Sequence, residues 1–160
     1  MFYPEYIKKF NMPMIPKELI LPIESIHQLP KSPLYKEDGT MVGADWYHTY
    51  FCNPELTDWI IKHCPCECHV AEYIISDCAI SFHKDLGRDY AFNYILDTGG
   101  ENVITEFWDD SAQQLLSSVI CEPNQWYVLN VSKQHRVLEP QPRPRVLVSI
   151  TPKYGVTYQF

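Results

Sequence analysis

A chain of 160 residues with 46% hydrophobic and 14% aromatic residues is long enough to bury a core, which excludes a disordered protein. The 13 basic and 20 acidic residues give a net charge of −7, which argues against a nucleic-acid-binding protein because phosphate binding depends on clustered lysine and arginine. Thirteen prolines and only six glycines, without a long helical stretch, favour a β-rich fold with short connections.

The first 50 residues contain many prolines and lack sustained periodicity, so they predict an irregular arm that wraps the core. Within the arm, the segment from Leu19 to Ile26 is a candidate extended piece, and Asp38-Gly39 predicts a turn. The start of the chain lacks the basic and apolar stretches of a signal peptide, and no apolar run approaches the ~20 residues that span a bilayer. We therefore expect a cytoplasmic protein with no membrane association and with reduced cysteines.

The clearest helix signal runs from Pro54 to His63. Asn53 is a favourable N-cap, Pro54 suits the first helical position, and Leu56 and Ile60 recur at helical spacing. This pattern predicts a short supporting helix that packs one face on the core.

A cysteine-rich segment follows this helix, with Cys64, Cys66 and Cys68 alternating before His69. Thiolates separated by one residue have difficulty occupying two corners of one tetrahedron, and structural zinc sites use wider spacing with a distant second pair. The spacing favours residues of a turn and a strand start over a zinc site, and it leaves the role of the cluster open.

From residue 69 onward the pattern changes to short segments rich in valine, isoleucine and aromatic residues, separated by turn signals. We predict strands at 69–75, 78–83, 89–97, 102–108, 114–120, 126–131, 136–138, 145–151 and 154–160. Strands at this spacing predict a sandwich or barrel, and eight is the number in a jelly roll. The chain is thus predicted to be one mainly β domain, 1–160, with the arm and helix in 1–68 and a jelly-roll core in 69–160.

A candidate metal site begins with His83 and Asp85, because residues two apart on a strand project to the same side. A third ligand must come from elsewhere, and His135 is the best candidate. Two histidines and one carboxylate on one face of an octahedron leave other positions open, as in non-haem iron(II) oxygenases. Predicted metal ligands and catalytic residues are therefore His83, Asp85 and His135.

Arg145 begins the strand that follows His135, and we expect a hairpin between those strands to place the guanidinium in the same cavity. A guanidinium binds a carboxylate through two parallel hydrogen bonds. Arg143 competes for this role, because both arginines neighbour Pro144.

The order of His83-x-Asp85, His135 and then Arg145 resembles the 2-oxoglutarate and iron(II)-dependent oxygenase superfamily over residues 70–152, about half of the chain. The segments 93–96 and 107–111 look most like its aspartyl/asparaginyl β-hydroxylase-like branch, although some members of that branch lack the carboxylate that Asp85 supplies here. The resemblance implies a double-stranded β-helix of the cupin-like type. It also implies Fe(II) as cofactor and 2-oxoglutarate as cosubstrate, with Arg145 holding the far carboxylate of the cosubstrate.

Further cosubstrate contacts are expected from Asn93 or Tyr94, of which only one can face inward on a strand; a phenol is a plausible donor, which favours Tyr94. Arg88 follows the ligand pair and could reach an acidic substrate, but we interpret it as a solvated loop arginine. The implied reaction hydroxylates a C–H bond of a small molecule or peptidyl substrate with dioxygen and releases succinate and CO2. Two alternatives stay open: a cupin-like metal enzyme without 2-oxoglutarate, for which Arg145 has no purpose, and a non-catalytic jelly-roll interaction module.

Overall fold

Ten strands and two short α-helices form the described part of the chain, residues 3–32, 48–85 and 87–153 of a computed structural model. The strands are β1 (Ile7–Lys9), β2 (His48–Phe51), β3 (Cys68–Ser76), β4 (Ile80–His83), β5 (Tyr90–Asp97), β6 (Ile104–Trp108), β7 (Leu115–Ile120), β8 (Trp126–Asn130), β9 (His135–Val137) and β10 (Arg145–Pro152). The helices are α1 (Ile23–Ile26) and α2 (Pro54–His63). The prediction of a mainly β chain is confirmed, and the strands predicted from residue 69 to 151 match β3–β10 with ends within two residues.

The strands form two antiparallel sheets. One has six strands in the order β1-β8-β5-β10-β3-β2, and the other has four in the order β4-β9-β6-β7. Within the last eight strands, the first pairs with the last: β3 with β10, β4 with β9, β5 with β8 and β6 with β7. The hairpin expected between the strands of His135 and Arg145 is therefore wrong, because β9 and β10 belong to different sheets.

Side-chain alternation along β10 directs residues to two separate cores. Val146, Val148 and Ile150 join the larger core, on the face of the six-stranded sheet that the N-terminal arm and α2 cover. Leu147 joins a second core with Phe107 of the four-stranded sheet, so this core lies between the sheets. Arg145, two residues before Leu147, projects to the same side as Leu147, because alternate residues of a strand share a face.

The N-terminal arm adds an edge strand to each side of the larger sheet, β1 beside β8 and β2 beside β3. The extended piece predicted from Leu19 to Ile26 is wrong, since this segment contains the end of a 3₁₀ turn and the single-turn helix α1. Local hydrogen bonds to the carbonyl of Pro22, from Ser25 and Ile26, outweigh the extended preference of the proline-flanked sequence.

Helix α2 begins at Pro54 and ends at His63, as the sequence predicts, and it buries Leu56 and Ile60. Asn53 precedes it, but its side chain does not cap the helix. Instead, the Asn53 Oδ1 accepts a hydrogen bond from the Tyr73 hydroxyl at 2.8 Å, and its Nδ2 donates to the Leu19 carbonyl at 3.1 Å. The residue therefore ties the helix to β3 and to the arm.

Two predicted features lie outside the described residues: the Asp38-Gly39 turn and the strand at 154–160. Among the residues that are described, no helix has the length and apolar character required to cross a membrane.

Candidate functional site

His83 and His135 occupy directly opposite positions on the antiparallel pair β4 and β9. Opposite residues in such a pair point to the same face, with Cβ atoms ~4.5–5.5 Å apart. The two imidazole rings consequently meet, with a distance of 4.2 Å between ring centroids. Strand pairing alone thus brings together two side chains that are distant in sequence.

Asp85 completes the cluster from just beyond the end of β4, where its backbone N–H donates to the Val131 carbonyl at 2.8 Å. Its Oδ1 lies 3.3 Å from the Nε2 of His83 and 3.5 Å from the Nε2 of His135. The strand expected to carry both His83 and Asp85 ends at His83. The carboxylate nevertheless reaches the same point, so the three residues predicted as ligands converge.

Backbone carbonyls fix the orientation of both imidazoles. The Nδ1 of His83 lies 2.7 Å from the Ser81 oxygen, and the Nδ1 of His135 lies 2.8 Å from the Lys133 oxygen. A carbonyl can only accept, so each Nδ1 carries the proton and donates it, which leaves a lone pair on the Nε2 of a neutral ring. The Nε2 of both rings lies beside the Oδ1 of Asp85, so a neutral imidazole could offer its Nε2 lone pair to a cation held there.

The spacing of these atoms fits the coordination of one metal ion. Ligand atoms of His83, Asp85 and His135 all lie within 4.8 Å of one another. Nitrogen and oxygen ligands bind at about 2.0–2.2 Å, so neighbouring ligands of an octahedral ion lie ~3 Å apart. The separations from the Asp85 oxygen, 3.3 and 3.5 Å, are within a few tenths of an ångström of this value. The group could therefore hold a metal ion.

The pKa values of two of these residues keep them in the protonation state that metal binding requires. Burial, reinforced by His83, lowers the pKa of His135 to about 4. Burial alone would raise the pKa of Asp85, but the charge of Arg88 and the contacts with the two histidines outweigh burial and hold this pKa below its usual range. At neutral pH His135 is uncharged and Asp85 is ionised.

Arg88 anchors the other oxygen of Asp85. Its Nε donates to the Asp85 Oδ2 at 2.7 Å, and its Nη1 donates to the hydroxyls of Ser149 and Thr151, each at 3.0 Å. The Arg88 side chain is only 17% exposed, so the interpretation as a solvated loop residue is wrong. Arg88 links the candidate ligand to β10 and leaves the Oδ1 of Asp85 directed at the histidines.

This link gives a prediction for stability. Without metal, Arg88→Ala leaves a carboxylate nearly buried and unpaired, which should lower the free energy of unfolding by about 2–3 kcal/mol, less than for a fully buried pair. A divalent metal ion would neutralise Asp85, so it should stabilise the variant more than the wild type. Urea unfolding of both proteins, with and without Co(II), measures these differences.

The matched control for Arg88→Ala is Arg143→Ala, which breaks the exposed pair with Asp97 and should change stability by less than about 1 kcal/mol. Equal stabilisation of wild type and Arg88→Ala by metal would contradict the assignment of Asp85 as a ligand.

Arg145 is a buried cation in the same cavity. Its side chain is 6% exposed, and none of the ion pairs between described residues includes it. The side chain instead contacts the Cys121 thiol, and burial lowers its pKa. A guanidinium stays protonated in proteins, and a buried charge without an opposite partner is costly. Arg145 is therefore suited to bind an anion that enters the cavity.

Asn93 and Tyr94 project to opposite sides of β5. Asn93 lines the cavity, and its buried Oδ1 accepts no hydrogen bond from the part of the chain that the structure describes. Tyr94 instead packs in the larger core against Trp126, with 5.0 Å between ring centroids. The preference for Tyr94 as the inward residue is thus wrong, and the strand alternation assigns that position to Asn93.

The cavity that joins these groups has a volume of about 60 Å³. Besides the charged residues, its wall includes apolar side chains of both sheets, among them Ile74, Ile80, Val137 and Leu147. Arg143 does not line it and is exposed, with its guanidinium on Asp97 at 3.0 Å. This volume corresponds to the space of a few water molecules.

No protein-family model matches the chain, and no curated protein shows significant similarity to it.

Proposed function

We propose that the protein is a non-haem iron(II) and 2-oxoglutarate-dependent dioxygenase. The observation that carries this proposal is the buried Arg145, a cation to which no described residue offers a carboxylate, in the cavity that also contains His83, Asp85 and His135. A metal site with a separate anion site inside one narrow cavity matches a cosubstrate that chelates metal at one end and carries a second carboxylate at the other.

The strand order supports the double-stranded β-helix fold that this class of oxygenases implies. Eight strands pair first with last across two antiparallel sheets, and this order is the observation that supports a jelly-roll or double-stranded β-helix fold in the proposal. In the proposed fold, the histidines come from the smaller sheet and Arg145 from the larger one, so the cosubstrate would lie between the sheets.

The donor set favours iron(II). Two imidazoles and one carboxylate, with the remaining positions open, are typical of non-haem iron oxygenases. When bound, the iron would activate dioxygen and support the oxidative decarboxylation of 2-oxoglutarate to succinate and CO2, coupled to hydroxylation of a substrate C–H bond. The reaction balances, because one oxygen atom enters succinate and the other enters the product.

The protein's own residues would bind and orient the reactants. Arg145 would hold the far carboxylate of 2-oxoglutarate through two parallel hydrogen bonds. Asn93 would contribute an amide group beside the cosubstrate, and the apolar wall formed by Ile80 and Leu147 would exclude water. The substrate in this proposal is a small molecule or a peptidyl side chain, which approaches from the remaining side of the metal.

The small volume of the cavity favours one competing function, a cupin-like metal enzyme that does not use 2-oxoglutarate. Such an enzyme would need no buried guanidinium to bind a cosubstrate, so this alternative assigns no function to Arg145. Beyond the two-sheet arrangement, no observation on the described residues favours the non-catalytic jelly-roll module.

An anaerobic titration tests the proposed function. Fe(II) followed by 2-oxoglutarate should produce a weak visible charge-transfer band that saturates at one equivalent of each, and admission of dioxygen should yield succinate. Metal binding without any effect of 2-oxoglutarate would favour the cupin-like alternative. The absence of metal binding would contradict both metal-dependent functions.

A further inference from the structure

A thiol pair lies in the turn between α2 and β3, and neither of its cysteines lines the cavity of the candidate metal site. Cys64 follows the last residue of α2, where its N–H donates to the Ile60 carbonyl at 2.8 Å. Pro65 separates it from Cys66. The Sγ atoms of Cys64 and Cys66 are 3.1 Å apart, so one thiol donates to the other.

The arrangement does not correspond to a metal site. Among the described residues, only the group of His83, Asp85 and His135 brings three potential ligand atoms within 4.8 Å of one another. Cys64, Cys66 and Cys68 therefore lack the convergence of three or four thiolates that zinc or copper requires. The Sγ atoms of Cys64 and Cys66 are ~1 Å farther apart than the two sulfur atoms of a disulfide bond, which are about 2.05 Å apart.

We propose that Cys64 and Cys66 form a reversible intrachain disulfide by exchange with a small disulfide such as oxidised glutathione. The thiolate of Cys64 attacks one sulfur of the reagent, which breaks its S–S bond and releases one glutathione thiolate. The Cys66 sulfur then attacks the Cys64 sulfur of the mixed disulfide, and the second glutathione leaves. Two protein thiols are oxidised, one glutathione disulfide is reduced to two thiols, and the two protons pass to the released glutathione.

The environments of the cysteines assign these two roles. Cys64 is the more exposed member of the pair, and its hydrogen bond with Cys66 lowers its pKa, which favours the reactive thiolate. Cys66 is buried, and its hydrogen bond with Cys64 together with burial raises its pKa. Burial also raises the pKa of Cys52, Cys68 and Cys121, for Cys68 to about 12, so these thiols are poor competitors.

The backbone around the pair is held in place at both ends. Before the pair, α2 packs on the larger core through Leu56 and Ile60. After it, the N–H of Lys153 donates to the Glu67 carbonyl at 2.9 Å, and the two side chains form an ion pair. Pro65 restricts the intervening backbone. Little conformational freedom is therefore lost when the disulfide closes, which favours it over the mixed disulfide.

Thiol counting in the full-length chain tests the proposal. The protein is equilibrated with mixtures of reduced and oxidised glutathione, quenched with acid, and alkylated in denaturant before intact-mass and peptide analysis. Oxidation should reduce the labelled cysteines from six to four, and the two lost labels should map to Cys64 and Cys66. In Cys66→Ser, a glutathione mixed disulfide should persist on Cys64, because no resolving thiol remains.

Cys78→Ser is the matched control, because it removes a thiol from the turn between β3 and β4 and should leave pair formation intact, with labels falling from five to three. Circular dichroism establishes that each variant is folded. Retention of all six labels under oxidising glutathione would overturn the proposal, and so would pairing that involves Cys68. Zinc that protects Cys64 and Cys66 from alkylation at one equivalent would also overturn it, in favour of a metal site.

Discussion

Arg145→Ala is expected to weaken the binding of 2-oxoglutarate by about 2–5 kcal/mol, the usual consequence of removing one partner of a buried charge pair. This corresponds to roughly 30-fold to several thousand-fold in the dissociation constant. Of the two arginines among the described residues of the cavity wall, Arg88 is already bound to Asp85, so the far carboxylate of the cosubstrate would lose its candidate cation. Metal affinity should change little. Isothermal titration of 2-oxoglutarate into the Co(II)-loaded protein measures the effect.

Two variants separate loss of charge from loss of structure. Arg145→Met keeps a similar volume and removes a buried cation that pairs with no acidic residue in the described ranges, so the fold should be retained while the cosubstrate is still lost. Arg143→Ala removes the neighbouring exposed arginine, which does not line the cavity, and should leave the affinity unchanged. Loss of binding in Arg143→Ala alone would show that the anchor was wrongly assigned, and unchanged binding in all variants would refute the oxygenase proposal.

His135→Ala should lower metal affinity by more than ~100-fold, because even residues that only support a ligand alter affinity by 10- to 100-fold. The variant removes a neutral, buried imidazole that lies opposite His83, while the hydrogen bonds of β9 with β4 and β6 stay in place. The chain should therefore fold and show no oxygen-dependent turnover of 2-oxoglutarate. Competition of Co(II) against a chromophoric chelator measures the affinity directly.

His48→Ala provides the matched control for this experiment. His48 is an exposed histidine on the edge strand β2, away from the cavity wall, so its replacement should leave metal affinity unchanged. If His48→Ala and His135→Ala bind metal equally well, His135 is not a ligand.

The strands and the three candidate ligands could be predicted because they depend on local patterns. Segments rich in aromatic and β-branched residues indicate β3–β10. When two sheets enclose a core, β4 and β9 can pair, and this pairing places His83 opposite His135. The proximity of Arg145 to this group was also predicted, but through a hairpin that does not exist. Facing sheets bring the arginine there instead, and sequence order says little about which strands face each other.

The role of Arg88 was missed for a related reason. Its partners are Asp85, three residues away, and two hydroxyls on β10 more than sixty residues later, so no local pattern marks the side chain as buried. The inward position of Asn93 required knowledge of which face of β5 meets the smaller sheet. The side chain of Asn53 was assigned to a cap on local grounds, yet Tyr73 and Leu19 supply distant partners that compete for it.

Pairing of the first core strand with the last has a consequence for how the chain acquires its shape. β3 can complete its ladder with β10 only after almost the whole core has been synthesised, and the contact of His83 with His135 requires the intervening chain to close a long loop. Folds dominated by such distant contacts cross their folding barrier slowly. A nascent chain released before β10 would carry both histidines and Asp85, yet it would lack Arg145 and the partner that covers one edge of β3.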